Sequence, residues 1–277
     1  MKRKKGEEAF DAFYFNIYAG RWDQLKKTLL KPKEHIVYLN PYLKNNPHPI
    51  KMDSTYPAPQ KIDDLMNYYF LDFASTLPVK ALDIKNDDQV IDLCAAPGGK
   101  SLMIMGENPK SLICNDLSHD RLQRLKKIMQ DYLPEDIQKK ITYTKRDASL
   151  WGTFEKEIYD KTLLDAPCSS ERHFLQRPNE LTDWSEGRTK RLAKLQFALL
   201  AAAIDITKSG GRIVYSTCSI SPYENDEVIK KALKKRSGQF EIEKNLFDES
   251  EATEFGQQVL PDKNGHGPFY LSILRKI

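Results

Sequence analysis

The chain has 277 residues, 40% hydrophobic and 30% charged, with 43 Lys plus Arg against 39 Asp plus Glu. This is a soluble globular composition able to bury a large core, and no stretch approaches the ~20 apolar residues of a membrane-spanning helix. All of the net positive charge falls in residues 1–80, which hold 13 bases and 9 acids, whereas the remainder holds 30 of each. The start, Met1-Lys2-Arg3-Lys4-Lys5, has no apolar run behind it, unlike a secretory or transit peptide, and a cytoplasmic location is expected. Cys94, Cys114, Cys168 and Cys218 are too sparse for a disulfide scaffold and lack any CxxC spacing. Free thiols in a reducing compartment, and no metal site, follow.

From Asp11 to about Leu30 apolar residues recur at helical spacing and Lys31-Pro32 stops them, which predicts one or two short helices. The aromatics there (Phe10, Phe13, Tyr14, Phe15, Tyr18, Trp22) suit either a helical core or, with the basic excess, contact with a polyanion. Five prolines between Leu39 and Gln60 forbid a continuous helix or central strand, so this stretch reads as an extended connector. Asp63 to Leu77 reads as a helix closed by Pro78. Strands and helices then alternate: strands at Val90–Cys94, Leu112–Asn115, Ile141–Thr144, Thr162–Leu164 and Arg212–Ser216, with helices at Lys100–Met105, Asp120–Tyr132 and Leu192–Thr207. Such a βαβ series builds an α/β, Rossmann-like, mostly parallel sheet with helices on both faces, and its ligands gather at the strands' carboxyl ends.

The first strand runs into Asp92-Leu93-Cys94-Ala95-Ala96-Pro97-Gly98-Gly99-Lys100-Ser101, whose small residues allow close backbone approach and whose glycines open a helix with free N–H groups. A P-loop would need glycine where Cys94 stands. The second strand ends at Asp116, placed to accept ribose hydroxyls or simply to cap a helix; Asp147 ends the third with the same ambiguity, as ligand to an adenine amino group or as cap. Two further strands deliver cysteines in Leu164-Asp165-Ala166-Pro167-Cys168 and Tyr215-Ser216-Thr217-Cys218. A single cysteine in such a place is usually a small buried hydrophobe, but two beside a cofactor-type loop invite nucleophilic chemistry. His35, His48, His119 and His266 form no spaced ligand set, and His173 reads as a loop residue with substrate contact as the alternative. Lys230-Lys231 with Lys234-Lys235-Arg236 reads as the wet face of a helix.

In order along the chain, DLCAAPGGKS, LLDAPCSS and YSTCSISPYEN resemble the RNA cytosine-C5 methyltransferases of the RsmB/Sun family, and the resemblance covers residues 63–277. The N-terminal pattern is most similar to the short mitochondrial ribosomal-RNA branch of that family. Many members continue past the first cysteine with a glycine-rich CSGTG run, where this chain has Ser169-Ser170-Glu171-Arg172-His173, closer to that mitochondrial branch; Ser209 stands where proline usually precedes Gly210-Gly211. The resemblance implies a class I S-adenosylmethionine methyltransferase domain over 81–277 and a small helical, basic N-terminal extension over 1–80, a possible RNA contact. It implies S-adenosyl-L-methionine as cofactor and RNA, ribosomal RNA in particular, as substrate, with a helper protein as a possible aid to targeting. By resemblance Cys218 is the nucleophile toward cytosine C6, Cys168 assists product release, and Asp165 holds the N3 edge of the base. Pro97, Gly98, Gly99, Lys100 and Ser101 would line the methionine end of the cofactor, Asp116 and Arg121 the ribose, and Asp147 and Ala148 the adenine. Lys100 has the target base as its alternative contact. Two rival readings are a DNA cytosine-C5 methyltransferase, which uses a Pro-Cys nucleophile, and a non-catalytic RNA-binding assembly factor; the Thr217-Cys218 motif and the intact cysteines argue against each in turn.

Overall fold

The structure, a computed structural model, describes residues 5–51 and 55–277. The first four residues of the basic start and 52–54 of the connector lie outside the described residues. Two helices open the chain, α1 (Glu7–Tyr18) and α2 (Trp22–Leu30), joined by a 3-10 turn. Phe10, Tyr14 and Trp22 are fully or almost fully buried, which decides for a core role at these positions, while Phe15 stays half exposed. They pack with Leu25 and Leu29 against Phe174, Leu175, Leu181, Trp184, Ile220 and Leu260. The proline-rich stretch after Leu39 is largely irregular.

The expected helix at 63–77 does not form. Asp63 and Asp64 both adopt positive φ (48° and 66°) and turn a short hairpin between Lys61–Ile62 and Leu65–Met66. Tyr68–Leu71 then pairs antiparallel with Ile36–Leu39. The aromatic run Tyr68-Tyr69-Phe70 fits a pleated surface better than a helix, and Asx residues tolerate the left-handed turn before it. Pro78 does not close a helix; it sits in the first turn of α3 (Leu77–Leu82), where its missing N–H has no partner to lose.

The central sheet contains β1 (Gln89–Asp92), β2 (Ser111–Asn115), β3 (Ile141–Thr144), β4 (Tyr159–Asp165), β5 (Thr207–Thr217), β6 (Phe240–Glu243), β7 (Glu251–Ala252), β8 (Gln257–Val259) and β9 (Phe269–Lys276). Its order is β7-β8-β9-β5-β4-β1-β2-β3, with β6 also paired to the far half of β9. The five strands from β5 to β3 are parallel, and β9 runs antiparallel to β5. Val90, Ile91, Leu163, Leu164, Ile213, Val214 and Tyr215 are wholly buried because helices cover both faces. On one face lie α4 (Gly99–Gly106) and α5 (His119–Tyr132), the latter through Leu125 and Met129. On the other lies α6 (Glu186–Ile206), through Leu199, Leu200, Ala203 and Ile206, followed by α7 (Asp226–Lys235) through Val228, Ile229 and Ala232. The strand order reverses between β1 and β4. This switch point opens a crevice at the carboxyl ends, where the glycine loop and both cysteines emerge.

Candidate active site

Asp92 closes β1 as a wholly buried carboxyl. Ser101 Oγ donates to its Oδ2 at 2.7 Å, whereas Oδ1 has no partner among the described residues. Burial, with the nearby Asp165 charge adding, pushes its pKa up to about 7. Past it, Gly98 has a φ of +119°, open to glycine and strained for other residues. A Cβ on Gly99 would lie 2.9 Å from Leu71 Cδ2 and 3.1 Å from Tyr69 Cε1, so this loop is held tightly by the N-terminal β-pair.

Asp116 leaves β2 and is 4% exposed. Its Oδ1 accepts from Ser118 N at 2.9 Å and its Oδ2 from Ala96 N at 3.3 Å; Arg121 Nη1 stands 3.3 Å away. Arg121 Nη2 also donates to Ala96 O, so one acid and one base tie the glycine loop to the start of α5. Asp147 is exposed and caps the turn after β3, accepting from Ser149 N (2.9 Å) and Ser149 Oγ (2.7 Å); Ala148 beside it is buried. Asn115, which sequence reasoning passed over, donates to Leu93 O and Arg146 O and accepts from Arg146 N and Thr144 Oγ1, fastening the ends of three strands.

The two loops carrying Cys168 and Cys218 meet, with their sulfurs 3.1 Å apart. Ser170 Oγ lies 3.4 Å from Cys218 Sγ. The two thiols are driven in opposite directions. Cys218 falls below the ordinary thiol value because Cys168 donates to its sulfur, which outweighs burial, and Ser170 helps; Cys168 is raised well above it by keeping that proton, with burial adding. Cys94 and Cys114, in contrast, are both raised, with burial as the main cause. Asp165 joins the thiols to the glycine loop: its Oδ2 is 2.8 Å from Lys100 Nζ, and its Oδ1 accepts from Ser216 Oγ at 2.9 Å. Burial opposes the Lys100 ammonium, but Asp165 more than compensates and raises it.

Glu224 and Asn225, inside the YSTCSISPYEN motif, hold the thiol loops together with Glu171, which lies just past the LLDAPCSS motif. Glu171, wholly buried, accepts from Tyr14 Oη (2.6 Å), Ser219 Oγ (3.0 Å), Ile220 N (3.0 Å) and Ser169 Oγ. Glu224 accepts from Ser169 N and Gln196 Nε2, both at 2.9 Å, and Gln196 Nε2 also reaches Pro167 O. Thr217 Oγ1 donates to Asn225 Oδ1 at 2.7 Å. His173 is exposed, 3.9 Å from Glu180.

A cleft of about 260 Å³ runs along the glycine loop, bounded by Asp92, Cys94–Lys100 and Asp165 on one side and by Lys33, His35, Tyr69–Asp72 and Ser75 of the N-terminal region on the other. The structure thus gathers Pro97, Gly98, Gly99, Lys100 and Asp165 on one cleft, with Ser101 behind Asp92; Asp116 and Arg121 brace its loop, and Asp147 stands apart at the rim of β3. Lys33 and His35 of the N-terminal wall carry no recognisable motif, and Tyr69–Asp72 and Ser75 fall within the family resemblance without any signal that places them at the cleft.

A parallel sheet of this order with an antiparallel β9, helices on both faces and a glycine loop at the switch point is the class I S-adenosylmethionine methyltransferase fold. Within that class, residues 79–275 match the family described as 16S rRNA methyltransferase RsmB/F, and the chain belongs to it. The 5-cytosine rRNA methyltransferase NSUN4 of Mus musculus is 37% identical over 232 residues, 77% of this chain and 61% of that protein. The mitochondrial tRNA (cytosine(34)-C(5))-methyltransferase of Danio rerio is 39% identical over 228 residues, 77% of this chain and 62% of that protein. The chain therefore spans about three fifths of the length of these curated relatives. In fold it is similar to NSun6 from Pyrococcus horikoshii with SFG, at a TM-score of 0.78 and 20% identity over 98% of both chains.

Proposed function

We propose that this chain methylates C5 of a cytosine in RNA, ribosomal RNA being the substrate class, with S-adenosylmethionine as donor and a covalent bond from Cys218 to C6 as the activating step. The single observation that carries the reading is the thiol pair: two sulfurs delivered by separate strands stand 3.1 Å apart, one of them three residues past Asp165 of the cleft wall. The names of the mouse and zebrafish relatives support the base and the position.

The residues present fit the cofactor. An unpartnered buried oxygen on Asp92 and a glycine loop shaped for close approach flank the cleft. Pro97, Gly98, Gly99 and Lys100 would hold its methionine end, with Ser101 acting through Asp92; Asp116 and Arg121 would serve the ribose, and Asp147 and Ala148 the adenine. When bound, S-adenosylmethionine supplies an electrophilic methyl group. The chain must supply the rest, because cytosine C5 is a poor nucleophile. Addition of the Cys218 thiolate at C6, with N3 taking up a proton at the edge that Asp165 holds, turns C5 into an enamine carbon able to attack the methyl group. Loss of the C5 proton to solvent water and of the N3 proton then breaks the C6–sulfur bond and returns the Cys218 thiolate, and Cys168, which keeps its proton, assists release. The base must leave any helix to reach both sulfur and methyl group, which favours single-stranded or loop RNA.

We divide the chain at residue 80, assigning the reaction to 81–277 and to 1–80 RNA contact besides the one wall of the cleft that it supplies, with a helper protein as an aid to targeting. All four cysteines are free, as thiolate chemistry requires, and a reducing compartment such as the cytoplasm suits them. Among the described residues no helix is long and apolar enough to cross a membrane. Bisulfite sequencing of total RNA with and without this protein tests the reading. A ribosomal cytosine that loses protection on deletion is the expected result; an unchanged pattern across all RNA overturns it.

A further inference from the structure

Arg172, in the segment that departs from the family's glycine-rich run, is 5% exposed, yet its Nε and Nη1 are buried with no hydrogen-bond partner. A buried, unpaired guanidinium is costly, and a protein that keeps one generally has a use for it. The charge that acts on it is Asp72, a residue of the cleft wall. That carboxylate is already served: Lys33 Nζ stands 3.2 Å from Oδ2, and Ala74 N and Gly267 N donate to Oδ1 at 2.9 and 3.4 Å. Two cations thus share one carboxylate, leaving one positive charge in surplus. Ser170, two residues before Arg172, has its Oγ 3.4 Å from Cys218 Sγ, so the segment that carries this charge borders the nucleophile.

We infer that Arg172, with Lys33 and Asp72 as its setting, forms a binding site for one backbone phosphodiester of the RNA next to the target cytidine. One phosphodiester carries one negative charge, the counter-charge that Arg172 lacks. The inference rests on the reading of the chain as an RNA methyltransferase, and it gives the departure after Ser170 a purpose: a charged group stands where other members have small residues. Holding the phosphate beside the unstacked base fixes where C6 arrives relative to Cys218.

The probe is a labelled 20-nucleotide single-stranded RNA pool of random sequence, titrated by fluorescence anisotropy at several salt concentrations, with S-adenosylmethionine affinity measured by calorimetry on the same proteins. In Arg172→Met the RNA affinity falls about tenfold, and the slope of log affinity against log salt shrinks by about 0.7, the value of one lost phosphate contact on a single strand. Cofactor affinity and the melting temperature hold or improve. Lys33→Met, on the surface, gives a second route: it hands Asp72 to Arg172, neutralises the site and produces the same loss, so the double variant falls no further than either single one. Unchanged RNA affinity and slope in both variants overturn the site, as does a tenfold loss of cofactor affinity, which assigns the anion to the cofactor's carboxylate. Should Arg172→Met not fold, Lys33→Met decides alone. Absence of 5-methylcytosine in RNA treated with the unaltered protein would sink the methyltransferase reading instead, and leaves the salt slopes to decide the phosphate site.

Discussion

The glycine-loop side and the thiol side of the cleft are built on different principles. On the first, the bonds that fix the loop come from within about 20 residues along the chain: Ser101 serves Asp92 nine residues back, and Asp116 is held by Ala96 and Ser118. On the second, the partners are remote. Tyr14 reaches Glu171 across 157 residues and Tyr18 reaches the Ile220 carbonyl across 202. A binding loop can be carried by its own turn and helix, but two cysteines delivered by separate strands meet only if something spans them. Here the span is a buried carboxylate and the first two helices.

The largest expected effect separates the two sulfurs. Cys218→Ala should abolish both methylation and any covalent RNA complex, whereas Cys168→Ala should allow attack and slow release, so that an adduct survives denaturing electrophoresis. The reverse pattern would make Cys168 the nucleophile, as in a Pro-Cys DNA enzyme. The pH profile sharpens this test. Cys218 is lowered because Cys168 donates to it, so in the unaltered protein adduct formation should rise with pH below the ~8.5 of a free thiol. Without the Cys168 donor the thiolate loses its main support, and the rise should move upward. A profile that stays in place would show that Cys168 does not set the thiolate fraction.

Next in size is Glu171→Ala, which takes the acceptor from Tyr14, Ile220 N and the Ser169 and Ser219 hydroxyls, of which only one can turn to the other 3.1 Å away, so three buried donors are stranded. Each unsatisfied group costs about 1–3 kcal/mol, so a loss of about 3 kcal/mol or more is expected in denaturant unfolding. Activity should fall further than cofactor affinity, because the brace holds the thiol loops and not the glycine loop. Equal losses of both would mean that the two sides are one cooperative unit.

The same contrast explains what the sequence disclosed. The parallel strands were readable because their apolar runs are buried on both faces, and the glycine loop because its function requires a fixed local spacing. Cys168 and Cys218 were legible as motif residues but not as neighbours. Glu171 carried no signal, since its role depends on Tyr14, Ser219 and Ile220 arriving from elsewhere. The hairpin at Asp63-Asp64 was missed because helical spacing outweighed a two-residue turn in the left-handed region. In the N-terminal cleft wall Lys33 and His35 belong to no motif, and they meet Asp72 only through the pairing of Ile36–Leu39 with Tyr68–Leu71.

On the local side, Asp116→Ala should lower S-adenosylmethionine affinity by about 10- to 150-fold, the equivalent of one charge-assisted acceptor at 1.5–3 kcal/mol, measured by calorimetry on folded protein. The loss includes any slackening of the loop that Asp116 and Arg121 tie together. The thiol side should not register it: adduct formation with RNA in the absence of cofactor should match the unaltered protein. A variant that binds cofactor normally would reduce Asp116 to a loop fastener.

The smallest effect tests the long-range side with the least disturbance. Tyr14→Phe removes one hydroxyl and keeps the ring among Phe10, Trp22 and Trp184, so packing is preserved. The deleted bond goes to a buried carboxylate at 2.6 Å, and about 1.5–3 kcal/mol is the usual contribution of a hydrogen bond to a charged group. Three donors remain on Glu171, which should hold the loss near the lower end, about 1.5 kcal/mol. In a cycle with Glu171→Gln the two losses should fall short of additive, since both act on one network. Full additivity in unfolding measurements would show that Tyr14 stabilises the helices alone, and that the first segment reaches the thiol loops by packing and not through the carboxylate.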